Sequence, residues 1–97
     1  MTRTPREDLE ASLRDPEFAK LYGAELAKGE IALAIAAARH ERGMTQGALA
    51  EVLGLSQPYV ARLESGEANP TIGKVGTLLA VLGFQLSVQP TPLLAPA

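Results

Sequence analysis

The sequence has no cysteine and no tryptophan, and its 97 residues include only two phenylalanines, two tyrosines and one histidine. Without cysteine the chain has neither a disulfide framework nor a thiolate metal site, which suits a reducing cytoplasm. With a single histidine, His40, and scattered serines, no nucleophile–base pair and no metal constellation can be assembled. We therefore expect no enzymatic activity, no cofactor and no metal.

Long hydrophobic runs are also missing. The longest, residues 31–38, is far too short to cross a bilayer. The N-terminus mixes acidic with basic residues, unlike a signal peptide. We expect a soluble, cytoplasmic protein with no membrane association. The short length, the few aromatics and the many alanines indicate a small helical domain with a thin core, which gains from dimerisation.

The chain has no basic excess, and its formal net charge is −2 at pH 7. Residues 1–30 hold seven acidic and five basic side chains, whereas residues 31–97 hold four of each. Lys and Arg side chains that neutralise phosphates dominate affinity for DNA. If the chain binds DNA, we expect weak non-specific affinity and dependence on paired half-sites.

Capping residues and apolar spacing predict an all-α chain. Thr4-Pro5 and Asp15-Pro16 each begin a helix. Gly29 is a candidate break before an alanine-rich helix over residues 31–42, which ends at Gly43.

Three further helices follow, with N-caps at Thr45, Ser56 and Thr71. The last of them ends at Gly83. Apolar residues at helical spacing predict its core face: Ile72, Val75, Leu78, Leu79 and Leu82.

The apolar period changes to two after this helix. Phe84, Leu86 and Val88 alternate with polar residues, which predicts a short strand over 84–89. A lone strand needs a partner for its backbone groups, and the simplest partner is the same strand of a second chain. We therefore predict that these three side chains mediate homodimerisation. The proline-rich residues 90–97 are predicted to be a disordered tail.

Residues 46–63 read as two short helices around a tight turn. Ala50 is small where the helices would cross, and Gly54 stands where a positive backbone angle is needed. The pattern predicts a helix-turn-helix, which places its second helix in the DNA major groove; an ordinary helical hairpin is the alternative. The side chains predicted to face inward are Leu49, Leu53, Leu55, Val60 and Leu63.

The outward residues of the second helix carry groups that read bases. Gln57 can pair with adenine and Arg62 with guanine, while Pro58 and Ala61 suit a thymine methyl. Gln46, Ser56 and Tyr59 are placed for phosphates. The predicted DNA-binding set is Thr45, Gln46, Ser56, Gln57, Pro58, Tyr59, Ala61 and Arg62.

Other roles are open for three of these residues. Arg62 can instead pair with Glu64 or another neighbouring acid. Tyr59 can be a half-buried packing residue. Ser56 is useful as a helix cap whether or not it touches DNA.

Several stretches of this sequence resemble the Cro/C1-type (Xre) helix-turn-helix family. They are Arg42-Gly43-Met44-Thr45-Gln46, Leu49-Ala50, Leu53-Gly54-Leu55-Ser56-Gln57, Arg62-Leu63-Glu64-Ser65-Gly66 and Asn69-Pro70-Thr71-Ile72. The resemblance covers residues 31–83. It implies a five-helix, lambda-repressor-like domain in which the helix from Ser56 reads the major groove, Gln46 contacts the backbone, and Gln57 and Arg62 read bases.

The flanking segments resemble HigA-type antitoxins, on the stretch Asp15-Pro16-Glu17-Phe18 with Tyr22 and on the predicted strand. That resemblance implies neutralisation of a small, RelE-like RNA-cleaving toxin and repression of the chain's own operon by a dimer. Residues 1–30 would be the toxin-binding arm, with acids facing a basic toxin. Its predicted anchors are Phe18, Leu21, Tyr22 and Leu26; alternatively, this apolar stripe completes the domain's own core.

The predicted layout is an N-terminal helical arm (1–30), a DNA-binding domain (31–83), a dimerisation strand (84–89) and a tail (90–97). The expected partners are a double-stranded DNA operator with paired half-sites, a small basic toxin and a second copy of the chain. A stand-alone Xre-type repressor without a toxin is the alternative function. A pure interaction module that has lost DNA binding is a third hypothesis.

Overall fold

A computed structural model of the protein describes residues 2–90, and the predicted tail from residue 91 onward lies outside the described residues. The described chain is all-helical, as the sequence predicts, and none of its helices is long and apolar enough to span a membrane. Its five helices are α1 (Pro5–Ser12), α2 (Pro16–Glu41), α3 (Gln46–Leu53), α4 (Gln57–Glu64) and α5 (Ile72–Val81).

The predicted N-caps begin their helices. The hydroxyl oxygens of Thr4, Thr45, Ser56 and Thr71 each accept a hydrogen bond from the backbone N–H three residues later, at 3.0–3.2 Å. The Asp15 carboxylate accepts from the backbone N–H of Glu17 at the start of α2, at 3.0 Å. These bonds satisfy N–H groups that have no partner within the helix, so the caps determine where the helices begin.

The described residues divide into two compact units. The first contains residues 2–26 and 87–90. Among these residues, Leu13 is the one with a buried side chain. The second unit, Ala27–Leu86, contains the main hydrophobic core. The buried members of that core are Ile35, Ala38, Leu49, Ala50, Val60, Leu63, Ala68, Val75, Leu78, Leu79 and Leu82.

The predicted break at Gly29 is wrong, because α2 continues through it to Glu41. A glycine inside a helix costs only about 1 kcal/mol relative to alanine. The alanine-rich segment that follows is strongly helix-prone, and this small penalty does not interrupt it.

The predicted core face of α5 is right for four of its five side chains: Val75, Leu78, Leu79 and Leu82 are buried. Ile72 is the exception, with 77% of its surface exposed. Ile72 is the first residue of α5. Ile72 shares the helical spacing of the core residues, but at the N-terminal end of the helix no core side chain covers it.

The predicted strand over 84–89 is not supported: these residues form no regular secondary structure in the described chain. The Phe84 amide donates to the Leu79 carbonyl at 2.8 Å, and the Gly83 amide donates to Ala80 at 3.0 Å. These bonds close the C-terminal end of α5 around Gly83, which has a φ of +84°. The Phe84 amide, the first backbone donor of the predicted strand, is therefore already bonded to the end of α5. Within the described chain there is no other strand with which residues 84–89 could pair.

Candidate nucleic-acid interface

Helices α3 and α4 pack against each other around a left-handed glycine, as a helix-turn-helix requires. Gly54 has φ 67° and ψ 30°, a conformation that costs residues with a β-carbon more than glycine. The Leu55 amide then donates to the Ala50 carbonyl at 2.9 Å, which closes the end of α3. Ala50 is buried, in keeping with the small side chain that close packing of the helices requires.

The inward set of this motif is confirmed. Leu49, Val60 and Leu63 are fully buried. Leu53 and Leu55 are half-buried and pack against the same core. The inward side chains therefore hold α4 in a defined orientation on the rest of the unit.

The opposite side of α4 is open to solvent. Gln57, Pro58 and Arg62 are exposed and Ala61 is partly exposed, as the predicted base-reading face requires. Thr45 and Ser56 are exposed caps at the starts of α3 and α4. The eight predicted DNA-binding residues thus lie on, or cap, two helices that pack together.

Two glutamines of this set are hydrogen-bonded to each other. The Gln57 Nε2 donates to the Gln46 Oε1 at 2.9 Å, and the Gln46 Nε2 donates to the Glu64 Oε1 at 3.2 Å. Gln57 retains its carbonyl oxygen and one amide hydrogen. Those are the acceptor and donor that a bidentate pair with adenine uses, so this bond is compatible with base reading.

Glu64 belongs to a buried ion pair that the sequence analysis did not identify. Arg39 at the end of α2 donates from Nε to the Glu64 Oε2 at 2.7 Å and from Nη2 to the Glu64 Oε1 at 2.9 Å. The two side chains are 10% and 7% exposed. Arg39 also donates from Nη1 to the Met44 carbonyl at 2.8 Å, so the pair joins α2, the loop before α3, and α4.

The charge state of this pair follows from its hydrogen bonds. The hydrogen bond from Arg39 lowers the pKa of Glu64; burial opposes that shift, and the bond from Gln46 adds to it. The same bond raises the pKa of Arg39. Both groups are therefore charged at neutral pH.

The pair also bears on the alternative role considered for Arg62, an ion pair with Glu64 or another neighbouring acid. Glu64 forms its ion pair with Arg39, and Arg62 has no ion-pair partner among residues 2–90. The missed role of Arg39 had a signal in the sequence, because Ala32, Ile35 and Arg39 follow helical spacing along the buried face of α2. A charged residue on a buried stripe requires a charged partner.

Tyr59 is half-buried and packs against the core, which confirms its packing role. The Lys74 ammonium from α5 lies over the Tyr59 ring, 4.7 Å from its centroid. The predicted phosphate contact of Tyr59 remains a prediction.

The predicted toxin-binding stripe lies on the first part of α2. Phe18, Leu21 and Leu26 are exposed, Tyr22 is half-buried, and the rings of Phe18 and Tyr22 stack with centroids 6.1 Å apart. None of the four belongs to the main core.

Comparison with known proteins agrees with this geometry. A family model described as helix-turn-helix matches residues 35–89, more than half of the chain. The chain belongs to the helix-turn-helix family. Its packed α3–α4 unit is thus the DNA-binding element of that family, and the expectation that the chain is not an enzyme is confirmed.

Two similar proteins extend the comparison beyond the family. An uncharacterised HTH-type transcriptional regulator of Haemophilus influenzae (strain ATCC 51907 / DSM 11121 / KW20 / Rd) is 40% identical over 52 residues, which are 54% of this chain and 53% of that protein. The chain thus spans about half the length of this curated relative. A solved structure titled "Toxin-Antitoxin module from Streptococcus pneumoniae" is 34% identical with a TM-score of 0.58, over 92% of this chain and 94% of that chain.

Proposed function

We propose that this helix-turn-helix protein is the antitoxin of a toxin–antitoxin pair. In this role it binds operator DNA through α3 and α4 and represses transcription of its own operon. It also neutralises a small, basic, RelE-like RNA-cleaving toxin through residues 1–30. The observation that carries the proposal is the likeness to a toxin–antitoxin module over 92% of the chain, which extends well beyond the helix-turn-helix.

The DNA-binding half of this proposal is supported by the 40% identity over 52 residues to the HTH-type transcriptional regulator of H. influenzae. The toxin-binding half is supported by surface chemistry. Leu21 is 70% exposed on a helix whose neighbouring side chains Phe18 and Leu26 are also exposed. Residues 1–30 have an acidic excess, and an acidic surface with apolar anchors complements a basic, RNA-binding protein.

The protein acts as a homodimer in this proposal, so that two copies read paired half-sites. The exposed side chains of Phe84, Leu86 and Val88 support apolar contacts between copies. Sedimentation of the free chain at micromolar concentration should then give a dimer mass, and a monomer mass would contradict this part.

The test is co-expression with a tag on the small basic protein encoded next to this chain. The wild-type chain should co-purify with that protein. Leu21→Asp should abolish co-purification, because it places a charge in the apolar contact.

Leu33→Asp is the matched control, since Leu33 is 74% exposed on the same helix α2 but lies outside residues 1–30. It makes the same substitution and should leave the complex intact. Absence of a wild-type complex would refute the toxin partner. Equal loss in both variants would refute the assignment of the contact to the arm.

A further inference from the structure

The helix-turn-helix region has very few cations with which to hold DNA. Between residues 46 and 81 the chain has only two cationic side chains, Arg62 and Lys74, against the three carboxylates of Glu51, Glu64 and Glu67. Glu64 is neutralised by Arg39 of α2, and Arg39 is itself buried in that pair. The positive charge available on α3, α4 and α5 therefore consists of two side chains.

The predicted set of DNA-binding residues includes Arg62 but omits Lys74. Lys74 is exposed and has no ion-pair partner among the residues described. Its ammonium lies over the ring of Tyr59, a residue of α4 two positions after Gln57. A lysine on α5 is thus held against the helix that carries the predicted base-reading side chains.

The surroundings of Lys74 also place it beside the turn of the helix-turn-helix. Lys74 lines a shallow depression together with Leu53 and Leu55, which flank Gly54, and with Thr77 and Leu78 of α5. Leu55 immediately precedes Ser56, the N-cap of α4. The lysine stem lies along apolar side chains while its charged end remains in solvent.

The stability of the free protein gains little from a lysine at this position. Lys74 lies in the first turn of α5, where a cation is unfavourable to the helix dipole, and that turn has no acidic residue. A cation–π contact at an exposed site is weak, so the ammonium hydrogens remain available to a stronger anionic partner.

We infer that Lys74 is a DNA phosphate contact, held in position by the Tyr59 ring beside α4. The inference rests on the proposed DNA-binding function and adds a binding residue to it. A phosphate contact strengthens binding to any sequence and makes the affinity depend on salt. Lys74 therefore contributes affinity, whereas Arg62 and Gln57 contribute sequence specificity.

The test measures fluorescence anisotropy of two labelled duplexes against the full-length chain over a series of salt concentrations. One duplex carries the region upstream of the chain's own reading frame, and the other has the same length and a scrambled sequence. Lys74→Gln should weaken binding to both duplexes by a similar factor. The slope of log affinity against log salt should fall by about 1 for each bound protomer.

Two variants make the test specific. Lys74→Arg keeps the charge and should keep the wild-type slope. Lys20→Gln removes the same charge from an exposed lysine paired with Glu17 on the first part of α2, and it should also leave the slope unchanged. Circular dichroism of each variant should match the wild type, because both lysines are exposed.

Removing the ring tests the positioning role of Tyr59. In a Tyr59→Leu background, Lys74→Gln should cause a smaller further loss of affinity than it does in the wild type, because the ammonium is no longer held beside α4. Additive losses would overturn that role.

Three outcomes would overturn the phosphate contact. If the wild type binds the upstream duplex and Lys74→Gln retains the full salt slope, the inference fails while the proposed function stands. A loss confined to the upstream duplex would assign Lys74 to base reading instead. If the wild type binds neither duplex, the DNA-binding proposal fails together with the inference.

Discussion

The buried pair of Arg39 and Glu64 is the residue-scale feature on which the candidate interface depends. It joins α2 to α4, and through Gln46 and Gln57 it extends as a chain of hydrogen bonds to the surface of α4. Breaking a buried ion pair by removing one charge typically costs about 3–5 kcal/mol, because the other charge stays buried without compensation. We therefore expect Glu64→Gln to lower the free energy of unfolding by an amount of this order at pH 7, measured by urea denaturation.

The same pair predicts how stability depends on pH. The pKa of Glu64 is lower in the folded state than its ordinary value of about 4.3, so the unfolded chain binds the proton more readily. The contribution of Glu64 is fully present above that ordinary value and is lost as the pH falls through the lowered folded pKa. Glu64→Gln should therefore show a flatter decline in stability below about pH 4.3 than the wild type.

A double variant, Arg39→Met with Glu64→Leu, is the control for this prediction. It removes both charges and should recover much of the stability lost in Glu64→Gln, because well-packed apolar pairs often replace buried ion pairs without loss. A Glu64→Gln protein as stable as the wild type, with the same pH profile, would contradict a structural role for the pair.

The residues that carried most information in the sequence were those with local physical causes. Thr4, Thr45, Ser56 and Thr71 cap helices through hydrogen bonds three residues away, so each cap was predictable from its own neighbourhood. Arg39 and Glu64 are 25 residues apart in the chain. Their pairing depends on how the helices pack, and the sequence alone offered Glu64 only as an alternative partner for Arg62.

At the scale of elements, the end of α5 shows where a sequence pattern was misleading. Alternation of Phe84, Leu86 and Val88 predicted a strand, but a strand also requires a paired neighbour, and alternation carries no information about one. Gly83 reverses the chain with a φ of +84°, and the following amide returns to the Leu79 carbonyl. The sequence predicted that Gly83 ends α5, but it did not predict the conformation of residues 84–89.

That helix end gives a prediction with a matched control. Gly83→Ala forces an alanine into the left-handed region, which costs about 1–2 kcal/mol. Its Cβ would also overlap the guanidinium of Arg42, although that flexible side chain can move away. Thermal denaturation should therefore show a lower midpoint than the wild type.

Gly76→Ala is the control because Gly76 lies within α5 with open space around it. Alanine favours a helix interior by about 0.8–1 kcal/mol over glycine, so this variant should be more stable than the wild type. Two glycine-to-alanine changes in or beside one helix are thus expected to shift the midpoint in opposite directions. Equal shifts would show that the left-handed conformation at Gly83 is not a constraint.

At the scale of the whole molecule, two segments of the chain differ in charge and in exposed apolar side chains. The segment with the acidic excess, residues 1–30, carries the exposed apolar stripe, whereas the region of α3 to α5 has two cations outside the buried ion pair. A repressor that acted alone through so few phosphate contacts would have modest affinity for DNA. Under the proposed function, a second copy and a basic partner bound to the arm would both add to the affinity for the operator, the latter by reducing the net negative charge of the complex.

The central claim is that this one chain binds operator DNA and its toxin together. The most direct test is an anisotropy titration of the labelled upstream duplex with the chain alone and then with the chain bound to the adjacent small basic protein. The account predicts that the complex binds the duplex more tightly than the chain alone and gives a higher limiting anisotropy, because a larger particle forms on the DNA. An unchanged limiting anisotropy and affinity on addition of that protein would contradict it.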